Sequence, residues 1–96
     1  MPRSVEGRVT GVTPEGNLVT DIAVDRLRDA PRDESVSTTC DEHFTVGLYT
    51  PDHTEAPMTF IALLAPSGFL ELCLVGDSAV MMLGVRAGEK VVVSWP

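Results

Sequence analysis

Short runs of β-branched, aromatic and other apolar residues alternate with clusters of glycine, proline and polar residues along the chain. Runs of this length, with apolar residues at every second position, are typical of β-strands. The pattern predicts strands over residues 5–12, 18–22, 35–39, 44–49, 58–64, 69–75 and 90–95. Many short strands, frequent turn residues and one short helix near the C-terminus indicate an all-β fold, a small β-barrel.

The turns and helix ends have residue signals of their own. Pro14 to Asn17 predicts a turn that joins the first two strands into a hairpin, because proline presets φ while glycine and asparagine tolerate positive φ. Asp77 is predicted to be the N-cap of a short helix over residues 78–83, since its carboxylate can accept hydrogen bonds from the first turn. We expect this helix to end at Gly84.

Three further segments refine the barrel prediction. Gly7 and Gly11 lie inside the first strand and predict a bulge or a sharp bend there. Residues 25–30 predict about one helical turn, which ends at the proline that follows. The strands over residues 58–64 and 69–75 have apolar residues on both faces, which favours a closed or sandwiched sheet.

Length and composition indicate one domain over residues 1–96. A chain of 96 residues with 44% hydrophobic residues can bury a single core and has no room for a second. The longest apolar run, residues 60–65, is far shorter than the roughly 20 residues of a membrane span. Residues 1–6 lack the apolar stretch of a secretory signal. We therefore expect a soluble, cytoplasmic protein without a membrane partner.

The charge of the chain narrows the choice of partners. Seven basic and fourteen acidic residues give a net charge of −7, which argues against a nucleic-acid partner and against an anionic membrane surface. Residues 1–57 hold eleven of the acids and five of the bases, whereas residues 58–96 hold three acids and two bases. We expect the C-terminal part to supply most of the core and the partner surface.

The cysteines and histidines match neither a disulfide pattern nor a metal pattern. Cys40 and Cys73 are too few for a disulfide scaffold, and we interpret them as buried thiols. His43 and His53 have acidic neighbours, but their spacing fits no defined metal site, so we interpret both clusters as solvated loops. The sequence predicts no metal site and no required cofactor.

Residues 16–22 read Gly-Asn-Leu-Val-Thr-Asp-Ile, and residues 67–72 read Ser-Gly-Phe-Leu-Glu-Leu. The first segment resembles the Gly-Asn-Leu-Ile/Val-Thr-Asn-Ile signature that opens the C-terminal domain of S-adenosylmethionine (SAM) hydroxide adenosyltransferases. The second resembles the later Ser-Ser-Gly-Tyr/Phe-Leu-Glu-Ile-Ala stretch of that domain. SAM-dependent fluorinases and chlorinases belong to the same superfamily. The order and spacing are similar from about residue 7 to residue 93.

The resemblance implies a β-barrel that works with other domains or subunits. Enzymes of this family have a larger N-terminal α/β domain with most of the reaction machinery, and SAM lies between that domain and the barrel of a neighbouring subunit in a trimer. Residues 1–96 resemble the barrel alone, so we expect the N-terminal catalytic domain to be absent. The function that we expect is a stand-alone, non-catalytic relative of the C-terminal domain, which serves oligomerisation or binds a ligand or partner.

The resemblance also implies a ligand site. Asn17, Ser67, Gly68 and Phe69 correspond to the ligand-binding segments of the family, and they imply weak binding of SAM or adenosine, with no catalytic residue among them.

Three parts of that site differ from the family. The strand end over residues 74–76 reads Leu-Val-Gly and lacks the asparagine that the family usually has there. Thr13 stands where the family has an aspartate that can hold the ammonium group of the substrate, and a neutral threonine cannot offer charge-assisted pairing. Pro66 replaces the first serine of the Ser-Ser-Gly motif, which removes a hydroxyl and an N–H donor. We therefore expect no SAM turnover by this chain alone.

Asn17 and Glu71 each have more than one interpretation. We favour Asn17 as a turn residue with positive φ beside Gly16, with an adenine-contacting amide as the alternative. Glu71 lies among apolar neighbours, where an unpaired carboxylate costs several kcal/mol. It must therefore pair within the domain, reach water at the barrel rim or contact a partner subunit.

Three functional hypotheses follow. In the first, the barrel forms a homo-oligomer, a trimer by resemblance, or docks to a partner protein. In the second, it keeps a weak site for an adenosine-like ligand around Asn17 and Ser67. In the third, it is part of an enzyme that hydrolyses SAM to adenosine and methionine. The N-terminal domain of that enzyme would be a separate protein or would have been removed from this chain.

Overall fold

Seven antiparallel strands form one curled sheet within residues 3–96, the part of the chain that the computed structural model describes. The sheet order is β4-β3-β7-β1-β2-β6-β5. The strands are β1 (Arg3–Val12), β2 (Leu18–Ala23), β3 (Ser37–Cys40), β4 (His43–Val46), β5 (Phe60–Leu64), β6 (Phe69–Leu74) and β7 (Lys90–Trp95). A 3-10 helix spans Val24–Leu27, and the α-helix α1 spans Ala79–Leu83. The predicted all-β barrel with one short helix near the C-terminus is confirmed.

The two end strands of the sheet, β4 and β5, approach each other and nearly close the barrel. The Thr45 hydroxyl donates a hydrogen bond to the Phe60 carbonyl oxygen at 2.7 Å. Just beyond β4, the Tyr49 N–H donates to Ala62 O at 2.9 Å and the Leu64 N–H donates to Tyr49 O at 2.7 Å. These bonds cover sheet edges that would otherwise be open to another chain.

The core lies on both sides of the β5–β6 pair. Inside the barrel, most of the core is aliphatic and buried, and its largest members include Leu18, Ile22, Leu27, Leu70 and Leu72. A second, smaller cluster lies outside the barrel, where Ile61, Leu63 and Ala65 pack against Tyr49, Cys73 and Val75. This explains why β5 and β6 are apolar on both faces. One face packs inside the barrel, and the other packs in the outer cluster, to which the segment between β4 and β5 contributes Tyr49.

The β1–β2 hairpin has the predicted turn and the predicted bulge. Gly16 has a φ of 92°, and its N–H donates to Thr13 O at 2.9 Å. The register of the two strands shifts between Val9 and Gly11, which is the expected irregularity. A methyl group at Gly7 would overlap Asp21 and Ile22, so the close approach of β2 requires glycine there.

The prediction of Asp77 as the helix N-cap was wrong by one residue. Ser78 has the extended backbone of an N-cap, and its hydroxyl accepts a hydrogen bond from Met81 N at 3.4 Å. The Asp77 carboxylate instead accepts from the Ser78 N–H at 2.8 Å. Gly84 ends the helix in the left-handed conformation, with a φ of 68°, as predicted.

Several predicted strands are longer than the observed ones, because turn geometry interrupts them. Residue 35 belongs to a turn in which its N–H donates to Asp33 Oδ1 at 2.9 Å, so β3 begins at Ser37. Gly47 has a φ of 86° and ends β4 at Val46. Met58 has a φ of 70°, and β5 begins only at residue 60.

The two cysteines are free thiols on opposite faces of the sheet. Cys40 lies in the inner core and Cys73 packs on the outer cluster. Burial, with smaller contributions from Glu89 and Asp41, raises the pKa of Cys40 to about 11. The pKa of Cys73 is raised by burial and then by the nearby Glu71 carboxylate.

The helices within residues 3–96 are all too short or too polar to cross a membrane.

We expect Thr38→Val to raise the free energy of unfolding by about 1 kcal/mol. The Thr38 hydroxyl is fully buried and has no hydrogen-bond partner among the described residues, and valine has nearly the same shape without the hydroxyl. Thr20 is the matched control, because it is equally buried but donates to Leu70 O at 2.7 Å. Thr20→Val should lower stability by about 1 kcal/mol in the same urea titrations. Equal losses in both variants would show that the Thr38 hydroxyl has a partner in solution.

Candidate functional site

Three of the residues singled out from the sequence form one hydrogen-bonded cluster. The Asn17 side-chain amide donates to Glu71 Oε1 at 3.3 Å. The Ser67 hydroxyl donates to Glu71 Oε2 at 3.2 Å. We call Asn17, Ser67 and Glu71 the carboxylate cluster.

The pairing of β2 with β6 brings this cluster together. Val19 lies opposite Glu71 in the antiparallel register, so the start of β2 lies beside the middle of β6. The turn before β2 is held by the Thr13 hydroxyl, which accepts a hydrogen bond from the Asn17 N–H at 3.0 Å. Ser67 reaches the same carboxylate from the β5–β6 turn, in which Gly68 has a φ of 92°.

Glu71 is a buried carboxylate with neutral partners. It alternates with Leu70 and Leu72, which face the barrel interior, so its side chain lies on the outer face of the sheet. Only 6% of Glu71 is exposed. The two hydrogen bonds offset part of the cost of burying the carboxylate. No basic side chain within residues 3–96 forms an ion pair with it.

An open cleft of about 530 Å³ adjoins the carboxylate cluster. The β1–β2 turn forms one side of the cleft. The end of β6 and the turn that leads from it into α1 form the other side. Its lining residues are Glu15, Asn17, Cys73, Leu74, Gly76, Asp77 and Ser78. Asn17 thus belongs to both the cluster and the cleft. One of its amide hydrogens is engaged with Glu71, while the second hydrogen and the amide oxygen are not used by that bond.

A close contact between the two turns shapes the cleft. The Val80 N–H donates to Gly16 O at 3.0 Å, and a methyl group at Gly16 would overlap Ser78. Glycine at this position therefore lets the hairpin turn approach the first turn of α1. The approach places Glu15 and Asp77 in the same cleft.

The structure corrects one prediction about the site residues and shows that some of them lie outside the cleft. The positive φ predicted for Asn17 was wrong, since it belongs to Gly16, but Asn17 does take part in the turn through its hydrogen bonds with Thr13. Ser67 reaches the cluster, but Gly68 and Phe69 are not among the lining residues of the cleft. Phe69 is 41% exposed and lies opposite Ala23 in the sheet. Whether these residues bind a ligand stays a prediction.

Sequence reasoning did not assign Glu15, Cys73, Asp77 and Ser78 to a common site. The sequence carries no direct signal for it, because the cleft forms only when two distant turns meet. The two glycines that flank it, Gly16 and Gly76, both have positive φ and give the nearest local hint.

The histidines have partners inside the fold. His43 Nε2 lies 2.9 Å from the Leu83 carbonyl oxygen, at the end of α1. His53 Nδ1 accepts a hydrogen bond from the Glu55 N–H at 3.1 Å. Within the described residues, no group of three His, Cys, Asp or Glu side chains is placed to hold a metal ion.

Two larger solved proteins contain a similar barrel. An uncharacterized conserved protein from Thermotoga maritima aligns with a TM-score of 0.74 and 20% identity, over 97% of this chain and 38% of that protein. A conserved hypothetical protein from Thermus thermophilus aligns with a TM-score of 0.68 and 23% identity, over 92% of this chain and 32% of that protein. No family model and no curated protein matches the sequence.

The fold is shared. At 20% and 23% identity the similarity shows the fold alone. This chain spans about a third of the length of each of the two proteins, as their coverages of 38% and 32% show. It therefore resembles part of a larger protein.

We expect Asn17→Asp to destabilise the protein at neutral pH. Aspartate would place a second carboxylate within hydrogen-bond distance of Glu71, and the repulsion should cost about 1–3 kcal/mol in a urea titration.

The double variant Asn17→Asp/Glu71→Gln is the matched control, because it exchanges the amide and the carboxylate and restores one donor and one acceptor. It should recover most of the lost stability. A loss that is the same in the single and the double variant would show that the two side chains do not interact.

Proposed function

We propose that this barrel is a non-catalytic binding module similar to the C-terminal domain of SAM hydroxide adenosyltransferases. The observation that carries the proposal is the cleft, which Asn17 joins to the buried carboxylate cluster. An amide fixed by a buried carboxylate is a preorganised hydrogen-bonding group at the edge of a small-molecule site. Adenosine or SAM is the expected ligand class.

The shape of the cleft supports a role within an assembly. Two turns of one chain line it and leave it open, so that a second protein surface could supply the remaining wall. Several large apolar side chains are exposed on the same barrel: Val12, Phe44, Val46, Met58, Phe69, Met81 and Met82. Association with another protein surface would remove such side chains from water. We propose a homo-oligomer, a trimer by resemblance, with a separate protein that carries an N-terminal domain as the alternative partner.

The local role of Thr13 supports a non-catalytic function. Thr13 stands where the resemblance implies an aspartate for the ammonium group of the substrate. Here its hydroxyl accepts a hydrogen bond from Asn17 N, and its carbonyl oxygen accepts another from Gly16 N. The residue thus stabilises the turn and supplies no charge to a ligand.

The alternative function is SAM hydrolysis to adenosine and methionine, with an N-terminal domain supplied by another protein or by the rest of a longer chain. The coverage of the two solved proteins supports it, since the similar barrel makes up only 38% and 32% of their lengths.

Isothermal calorimetry tests the ligand site with adenosine, SAM and methionine as separate titrants. We expect millimolar binding of adenosine and SAM, weakened about three- to tenfold by Asn17→Ala, which removes one hydrogen-bonding side chain. Thr10→Ala is the control, because Thr10 lies exposed on the same hairpin and does not line the cleft. The absence of heat with all three titrants would contradict the ligand site. Release of adenosine from SAM by this chain alone would contradict a non-catalytic role.

Light scattering tests the assembly. We expect the molar mass to rise with concentration toward a closed oligomer, because exposed apolar side chains become buried on association. A strict monomer at high micromolar concentration would contradict the homo-oligomer and leave the separate partner. Production of adenosine only after an N-terminal domain is added would instead establish the alternative function.

A further inference from the structure

We draw no further inference here: the strongest candidate, the outer face of the sheet at β4 and β3, where Phe44 and Val46 are exposed, is an apolar sheet face, and nothing in the structure shows what covers it.

Discussion

The pairing of β2 with β6 is the constraint on which the rest of the structure depends. It joins the N-terminal hairpin to the C-terminal hairpin across about fifty residues of chain, with Leu18 opposite Leu72 and Val19 opposite Glu71. This pairing turns local hairpins into one sheet of seven strands. The same register places the turn before β2 beside the outer face of β6. The barrel and the candidate site therefore have a common origin, and a shift of register by one residue would turn Glu71 into the core.

The local elements could be predicted because their causes are local. Strand composition and turn residues were enough to predict the β1–β2 hairpin and the last strand. Gly84 was enough to predict the end of α1. The prediction failed by a residue at Asp77, where two neighbouring side chains can both cap a helix. Only the three-dimensional structure shows that the Ser78 hydroxyl takes that place while the carboxylate orients the Ser78 N–H.

The candidate site could be predicted only in part, because its contacts are long-range. The resemblance singled out Asn17 and Ser67, and the apolar neighbours of Glu71 indicated that this carboxylate needs partners. Nothing in the sequence shows that Asn17 reaches Glu71, which lies 54 positions away. The cleft depends further on the contact between Gly16 and Ser78, two small residues whose proximity no periodic pattern encodes.

Glu71 differs from the other acids of the described chain because it is buried. Residues 1–57 carry eleven of the fourteen acids. Residues 58–96 hold only three acids, and two of them, Glu71 and Asp77, lie behind the cleft and in it. A buried carboxylate lowers stability unless its partners compensate for desolvation, and neutral donors compensate less fully than a cation would. The barrel therefore tolerates Glu71 at a cost in stability, which the hydrogen bonds from Asn17 and Ser67 offset only in part.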